Sequence, residues 1–178
     1  FTGTYDGNGF VISNLTINRP DICYQGLFSY VEDANLVNIR LEAVNVEGYQ
    51  RVGGLVGKAY GGSIENCCAA GSVMGCREVG GLVGNSYYTS VTNGRSACNV
   101  VAKGEGYAGG LVGIKLSGFI ENCYSTGSVG SSTQTDRQVG CIGGLVGENA
   151  GSIKNCCSTS SVKGYVYVGG LVGRNDSG

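Results

Sequence analysis

The sequence predicts an all-β fold, a right-handed parallel β-helix (a β-solenoid) of about six coils with an asparagine ladder. The first observation is a repeat: the pentapeptide GGLVG recurs at 53–57, 80–84, 109–113, 143–147 and 169–173. The second is composition, because 34 glycines and 42% hydrophobic residues in 178 fit neither a disordered Gly-rich chain nor collagen. The third is the absence of helix signals, since no N-cap residue precedes a run of helical period.

Each coil contains a second element between two copies of GGLVG. It is clearest in three segments, SIENCCAAGSV at 63–73, FIENCYSTGSV at 119–129 and SIKNCCSTSSV at 152–162. A degenerate version lies at 90–100, and the segments 35–41 and 10–17 match its first half. A coil therefore begins with a short strand, bends, continues through two short strands around a glycine turn, and ends with the GGLVG strand.

An asparagine marks the bend. Apolar residues are spaced three and then two apart, as in Ile12, Leu15 and Ile17, whereas a strand alternates with period two. The alternation of inward and outward residues must therefore shift by one position. The residue at that shift is always asparagine: Asn14, Asn38, Asn66, Asn93, Asn122 and Asn155. Asparagine tolerates the left-handed backbone conformation of a sharp bend. We therefore predict a structural ladder in which each asparagine buries its amide and bonds to the next coil.

The residues after the asparagine alternate between interior and surface. The inward column is Leu15, Ile39, Cys67, Gly94, Cys123 and Cys156, and the outward column is Thr16, Arg40, Cys68, Arg95, Tyr124 and Cys157. We expect Cys67, Cys123 and Cys156 to stack as buried thiols, with a disulfide between Cys123 and Cys156 as the alternative. Cys68 and Cys157 lie three coils apart, about 14 Å, so they cannot pair with each other within one molecule. They either form disulfides between molecules or stay reduced.

Composition also excludes classes of function. The chain has no histidine, which excludes histidine-based catalysis within it. It also lacks a C-x-x-C pair, the spacing that would indicate a metal centre. The net charge of −1 argues against nucleic acid as a partner, and no apolar stretch is long enough for membrane insertion. Glu65 and Glu121 share a column, but Thr92 separates them and Lys154 follows, which predicts a solvated face. We expect no catalytic residue, no metal site and no cofactor.

Residues 1–178 are expected to form one β-solenoid domain. The opening residues, FTGTYDGNGF, have neither the basic nor the apolar region of a secretion signal. We interpret the chain as a segment of a larger protein or of a fibre. The insertion at 130–138 is expected to bulge out as a polar loop.

The two repeated elements resemble the GLUG motif, a repeat named for Gly-Leu-hydrophobic-Gly. The resemblance rests on G-G-L-V-G and the following I-x-N-C-[CY], which recur in order through nearly the whole chain. The segment 85–100 departs from the pattern because it lacks the Asn-Cys pair. The resemblance implies a secreted or cell-surface protein, since such repeats occur in haemagglutinin-like adhesins and in regions of IgA-cleaving metallopeptidases. The zinc motif of those peptidases is absent, so protease activity is not implied.

These observations predict a non-enzymatic, extracellular structural or adhesive β-solenoid of a bacterial or archaeal surface protein. It would serve as a stalk, an adhesin scaffold or a fibre subunit that associates end to end through exposed strand edges. The alternative is an adhesin module that binds a glycan or a host surface protein through tyrosine-bearing coil faces. A polysaccharide-degrading β-helix enzyme is the most distant alternative.

Overall fold

The computed structural model describes residues 1–104, 106–132 and 140–176, and the regular secondary structure in these ranges consists of β-strands. The predicted all-β fold is confirmed. Within the same ranges no helix is long and apolar enough to cross a membrane. Most of the polar loop expected at 130–138 lies outside the described residues.

The described strands follow one another in six coils. Coil 1 contains β1 (Thr4–Asp6), β2 (Val11–Ser13), β3 (Thr16–Asn18) and β4 (Phe28–Glu32). Coil 2 contains β5 (Asn35–Val37), β6 (Arg40–Glu47), β7 (Gln50–Gly53) and β8 (Val56–Tyr60). Coil 3 contains β9 (Ser63–Glu65), β10 (Cys68–Gly75), β11 (Arg77–Gly80) and β12 (Val83–Tyr87).

The second half of the chain repeats this order. Coil 4 contains β13 (Ser90–Thr92), β14 (Arg95–Ala102), β15 (Tyr107–Gly109) and β16 (Val112–Lys115). Coil 5 contains β17 (Phe119–Glu121), β18 (Tyr124–Ser131), β19 (Cys141–Gly143) and β20 (Val146–Asn149). Coil 6 contains β21 (Ser152–Lys154), β22 (Cys157–Ser158), β23 (Ser161–Lys163), β24 (Tyr167–Gly169) and β25 (Val172–Asn175).

Equivalent strands of successive coils pair in parallel and form four sheets that run along the axis. Sheet A is β1-β5-β9-β13-β17-β21, and sheet C is β7-β11-β15-β19-β24. Sheet B has β6, β10, β14 and β18 at its centre, with β2 and β3 at one edge and β22 and β23 at the other. Sheet D is β4-β8-β12-β16-β20-β25. The solenoid of about six turns is therefore confirmed, while its right-handed sense stays a prediction.

One apolar core runs through the coils. The leucine of GGLVG is fully buried in coils 2 to 5, at Leu55, Leu82, Leu111 and Leu145. Sheet B adds an inward valine column, Val46, Val73, Val100 and Val129, each at most 1% exposed. In-register stacking places like residues on like residues, so each coil completes the core of its neighbours.

GGLVG is glycine-rich because sheets C and D approach each other at the backbone. A Cβ on Gly53 would lie 2.3 Å from the carbonyl oxygen of Val56 and 2.7 Å from that of Leu82. A Cβ on Gly57 would lie 2.6 Å from the carbonyl oxygen of Ser29 and 2.8 Å from that of Arg51. Such distances leave no space for a side chain, which explains why the motif repeats unchanged.

The alignment of coil 1 differs from the prediction. Asp6 pairs with Val37, so Gly7 occupies the position of Asn38. Ser13 pairs with Glu42, which places Asn14 beside Ala43 and outside the asparagine column. The prediction that Asn14 belongs to the asparagine ladder is therefore wrong, although its φ of 60° is left-handed as in the later asparagines.

The outward and inward columns of coil 1 shift for the same reason. Val11, and not Thr16, pairs with Arg40, and Thr16 pairs with Asn45. Leu15 consequently leaves the column of Ile39, whose place in coil 1 falls within a turn at 6–9. There Asn8 has a φ of 49° and its backbone N–H donates to Asp6 Oδ1. This Asp-Gly-Asn-Gly turn makes the bend that one asparagine makes in later coils.

Candidate functional site

Five of the predicted asparagines form a row along the edge between sheets A and B. They are Asn38, Asn66, Asn93, Asn122 and Asn155, and each follows a residue of sheet A that pairs in register with a neighbouring coil. Their φ angles lie between 51° and 55°, in the left-handed region. The chain turns sharply there because asparagine adopts this conformation at little cost.

The amides of this row face solvent, so the prediction that they are buried is wrong. Asn66, Asn93, Asn122 and Asn155 are exposed, and Asn38 is half-buried. The left-handed bend directs their side chains outward, and the following residue supplies the inward side chain. Among the described residues, one hydrogen bond joins two members of the row, from Asn66 Nδ2 to Asn38 Oδ1 at 3.3 Å.

A surface groove follows the middle of the row. We call it the asparagine groove; it is lined mainly by Asn66, Asn93, Asn122, Cys68, Arg95 and Tyr124. The guanidinium carbon of Arg95 lies 5.2 Å from the centroid of the Tyr124 ring, a cation–π contact. The groove thus combines amides, a cation and an aromatic ring along three successive coils.

The inward cysteines lie inside the sheet A–sheet B corner. Cys67 and Cys123 are buried, and Cys156 in the last coil is half-buried. The amide of Gly94 donates to Cys123 Sγ at 3.2 Å, and the amide of Cys123 donates to Cys156 Sγ at 3.4 Å. All nine cysteines are free thiols in the structure, so no disulfide joins Cys123 to Cys156 here. Burial raises the pKa of Cys67 to about 11 and that of Cys123 to about 12.

The outward column of sheet B carries the two other cysteines considered above. Cys68 pairs with Arg95, Arg95 with Tyr124, and Tyr124 with Cys157. The two thiols are therefore three coils apart, on one face of the solenoid. Cys68 is half-buried and Cys157 is exposed.

These environments predict the order in which the thiols react. Only a thiolate is nucleophilic, so Cys157 should be alkylated first by iodoacetamide at pH 7.5, and the buried Cys67, Cys98, Cys123 and Cys141 should react only after unfolding. Peptide mass spectrometry of a time course measures this order. Labelling of Cys123 as fast as Cys157 in the folded chain would contradict the buried stack.

The acidic column of sheet A is an ion-paired surface. Glu65, Thr92, Glu121 and Lys154 are in register along the sheet. Lys154 Nζ lies 3.4 Å from Glu121 Oε1. In residues 1–104, 106–132 and 140–176, no group of three or more His, Cys, Asp or Glu residues is placed to hold a metal ion.

Comparison with known proteins places this repeat in a family. The family model of the GLUG motif matches residues 48–74, which include one GGLVG and extend from β7 into β10. The matched segment is nearly one whole coil, and its two elements recur in register in the other coils. Residues 48–74 of this chain carry the GLUG motif. No solved structure matches it.

The chain is also similar to a curated protein, Halomucin of Haloquadratum walsbyi (strain DSM 16790 / HBSQ001). The two are 36% identical over 206 aligned residues, which cover 99% of this chain and 2% of Halomucin. The chain therefore spans about 2% of the length of the curated relative that it matches. That relative is archaeal, so a bacterial origin remains only a prediction.

One coil contains a buried lysine that the sequence pattern does not reveal. Lys115 is fully buried, in an inward column of sheet D with Ala59, Ser86 and Asn149. Its Nζ donates to Ser86 Oγ at 3.0 Å and to the carbonyl oxygen of Thr89. Burial lowers the pKa of Lys115 to about 7. A signal existed, since the second residue after GGLVG is small or an amide in the other four copies.

A polar network between sheets C and D also escaped the sequence analysis. The carboxylate of Glu78 accepts hydrogen bonds from Gln50 at 2.7 Å, Arg51 at 2.9 Å and Asn85 at 2.9 Å. Arg51 also donates to the hydroxyl of Tyr24 at 2.6 Å. The network links coils 1 to 3, and nothing in the local sequence indicates that GGLVG folds these two sheets against each other.

Proposed function

We propose that this chain is a non-enzymatic structural segment of an extracellular surface protein, a GLUG β-solenoid that acts as a stalk or scaffold. The observation that carries the proposal is the stacking of six coils through four parallel sheets around one apolar core. Each coil packs mainly on its neighbours, and the Lys103–Glu47 ion pair is a longer contact between coils 4 and 2. Such an array can be lengthened by whole coils without changing its cross-section. That property suits a spacer.

The extracellular part of the proposal is supported by the similarity to Halomucin. The name of that relative describes it as a mucin, and the similarity extends over almost all of this chain. Labelling intact source cells with a membrane-impermeant amine reagent, followed by peptide mass spectrometry, tests the location. We expect exposed lysines such as Lys154 and Lys163 to be labelled before lysis. Labelling only after lysis would overturn an extracellular role.

The non-enzymatic part is supported by the carboxylates of sheet A. Glu121 is paired with Lys154, and Glu65 lies two coils away, about 10 Å, on an exposed face. Among the described residues of this face, no second carboxylate lies beside Glu121, whereas glycoside hydrolysis needs a close pair of carboxyl groups. Incubation with acidic and neutral polysaccharides, with and without calcium, should release no new reducing ends. Depolymerisation that is lost in Glu121→Gln would establish an enzyme instead.

The proposal extends to the two end coils as contact surfaces for further coils. Ile12 and Ile17 in coil 1, and Ile153 and Val162 in coil 6, are only half-buried although equivalent residues inside the array are buried. The outer edges of these coils also present unpaired backbone groups, which pair readily with another strand. The occupant we propose is another GLUG coil, from a second copy of the chain or from the same protein.

Negative-stain electron microscopy with and without reductant tests this extension. End-to-end association should give filaments with an axial repeat of about 29 Å. Their loss on reduction would indicate that disulfides join the subunits, and Cys68 and Cys157 are the residues we propose for them. Isolated short rods under both conditions would contradict association between copies of this chain, while the scaffold role would stand.

A further inference from the structure

We propose that the asparagine groove binds an extended acidic oligosaccharide that lies along the solenoid axis. A spacer requires no ligand, so this inference goes beyond the scaffold role. Failure of the inference would leave that role intact. The argument rests on the amides, on the cation with its aromatic neighbour, and on the charges around them.

The amides of the groove are free to bind a ligand. Asn93 and Asn122 are exposed, and neither side chain has a hydrogen-bond partner among the described residues. Each amide can donate and accept hydrogen bonds, as a sugar hydroxyl also can. In-register stacking repeats them at about 4.8 Å along the axis. A row of this kind complements a linear chain of hydroxyl-bearing units better than it complements a compact molecule.

Arg95 supplies the charge at the centre of the groove. Its guanidinium lies over the ring of Tyr124, which is 38% exposed, and no carboxylate in the described chain is paired with it. A guanidinium binds a carboxylate or sulfate through two parallel hydrogen bonds. The exposed part of the Tyr124 ring offers an apolar surface on which a sugar ring can stack. An anionic sugar satisfies both groups.

The neighbouring carboxylates do not cancel this charge. Glu121 is bonded to Lys154, and the Arg40 guanidinium above the groove is bonded to Glu42. Glu65 lies on the outward face of sheet A and does not line the groove. Arg95 therefore remains the unpaired charge of the groove, which favours a ligand with spaced anionic groups over a neutral one.

Isothermal titration of the chain with oligogalacturonate tests the proposal, with a malto-oligosaccharide of equal length as the neutral comparison. We expect the acidic oligosaccharide to bind, and the affinity to fall about tenfold in Arg95→Gln and in Tyr124→Ala. Asn93→Gly and Asn122→Gly should each weaken binding severalfold. Glycine is chosen because it fits the left-handed φ of these positions, so the bend is preserved.

Two matched variants serve as controls. Asn155→Gly changes the same row outside the groove, and Tyr88→Ala removes a 56% exposed tyrosine elsewhere on the surface. Both should bind as the original chain does, and circular dichroism should show every variant folded. Absence of oligogalacturonate binding, equal binding of the neutral oligosaccharide, or undiminished binding by Arg95→Gln would overturn the proposal.

Discussion

Gly110→Ala is expected to lower the free energy of unfolding by about 4 kcal/mol or more, or to prevent folding. A Cβ at Gly110 would lie 2.1 Å from the carbonyl oxygen of Gly144 in the next coil and 2.9 Å from Cβ of Ser125. The closest atom belongs to backbone that connects β19 of sheet C to β20 of sheet D, so no side-chain rotation can relieve the overlap. Guanidinium unfolding followed by circular dichroism measures the loss.

The last copy of the motif provides a matched control. Gly170 is the second glycine of GGLVG in coil 6, and a Cβ there would meet nothing within 4 Å. Its φ is also outside the left-handed region. Gly170→Ala should therefore change the stability of this chain by less than about 1 kcal/mol. Equal losses in the two variants would show that the glycines act through backbone flexibility and not through coil-to-coil contact.

Lys115→Met is expected to stabilise the chain by about 2 to 4 kcal/mol at pH 7. The fully buried amine of Lys115 has two hydrogen-bond acceptors, Ser86 and Thr89, and no carboxylate partner in the described chain. Holding it in the core requires either a desolvated charge or loss of a proton that the unfolded chain retains. Methionine fills a similar volume without that cost, although it leaves the Thr89 carbonyl unpaired.

The effect should depend on pH in a defined direction. Folding lowers the pKa of Lys115 to about 7, whereas an unfolded lysine titrates near 10.4. Between these values the unfolded chain binds more protons, so the stability of the original chain rises with pH by up to about 1.4 kcal/mol per unit from this group. The advantage of Lys115→Met should therefore be largest at pH 7 and below and shrink towards pH 10.

The buried thiols make the stability fall as the pH rises, which is opposite to the effect of Lys115. The two effects must therefore be separated. Burial raises the pKa of Cys67, Cys98 and Cys141 to about 11 and that of Cys123 to about 12, so their deprotonation favours the unfolded chain above about pH 8.5. Both proteins contain these thiols, so the difference between their unfolding curves isolates Lys115. If Lys115→Met and the original chain differ in unfolding free energy by the same amount at pH 6.5 and pH 9.5, Lys115 does not lose a proton on folding.

The parts of the fold that repeat in sequence are the parts that could be predicted. Five copies of GGLVG and the recurring asparagine determine coil length, parallel stacking and the left-handed bends, because stacked coils must place equivalent residues on each other. The sequence pattern misleads in coil 1, because Asn14 has the spacing of the later asparagines but lies outside their column. The Asp6–Gly9 turn, which makes the bend there, spreads the reversal over four residues.

The direction of the surface asparagines and the positions of the buried polar groups could not be predicted from the sequence. Whether an asparagine at a bend points inward depends on the direction of its Cβ, and spacing alone does not contain that direction. Lys115 shares its column with Ala59 and Ser86, which a hydrophobicity pattern does not identify as interior. The contacts of Glu78 depend on how GGLVG folds sheet C onto sheet D, a tertiary feature.

Removal of one whole coil tests the modular solenoid most directly. Deletion of residues 66–92 joins Glu65 to Asn93. Because Glu65 pairs with Thr92, Asn93 then takes the position that Asn66 occupies, and coil 4 can stack on coil 2. We predict a cooperatively folded β protein that small-angle X-ray scattering finds shorter by about 4.8 Å. Deletion of residues 66–78, about half a coil, should abolish folding. If both deletions unfold the chain alike, its coils are not interchangeable units, and the scaffold account is contradicted.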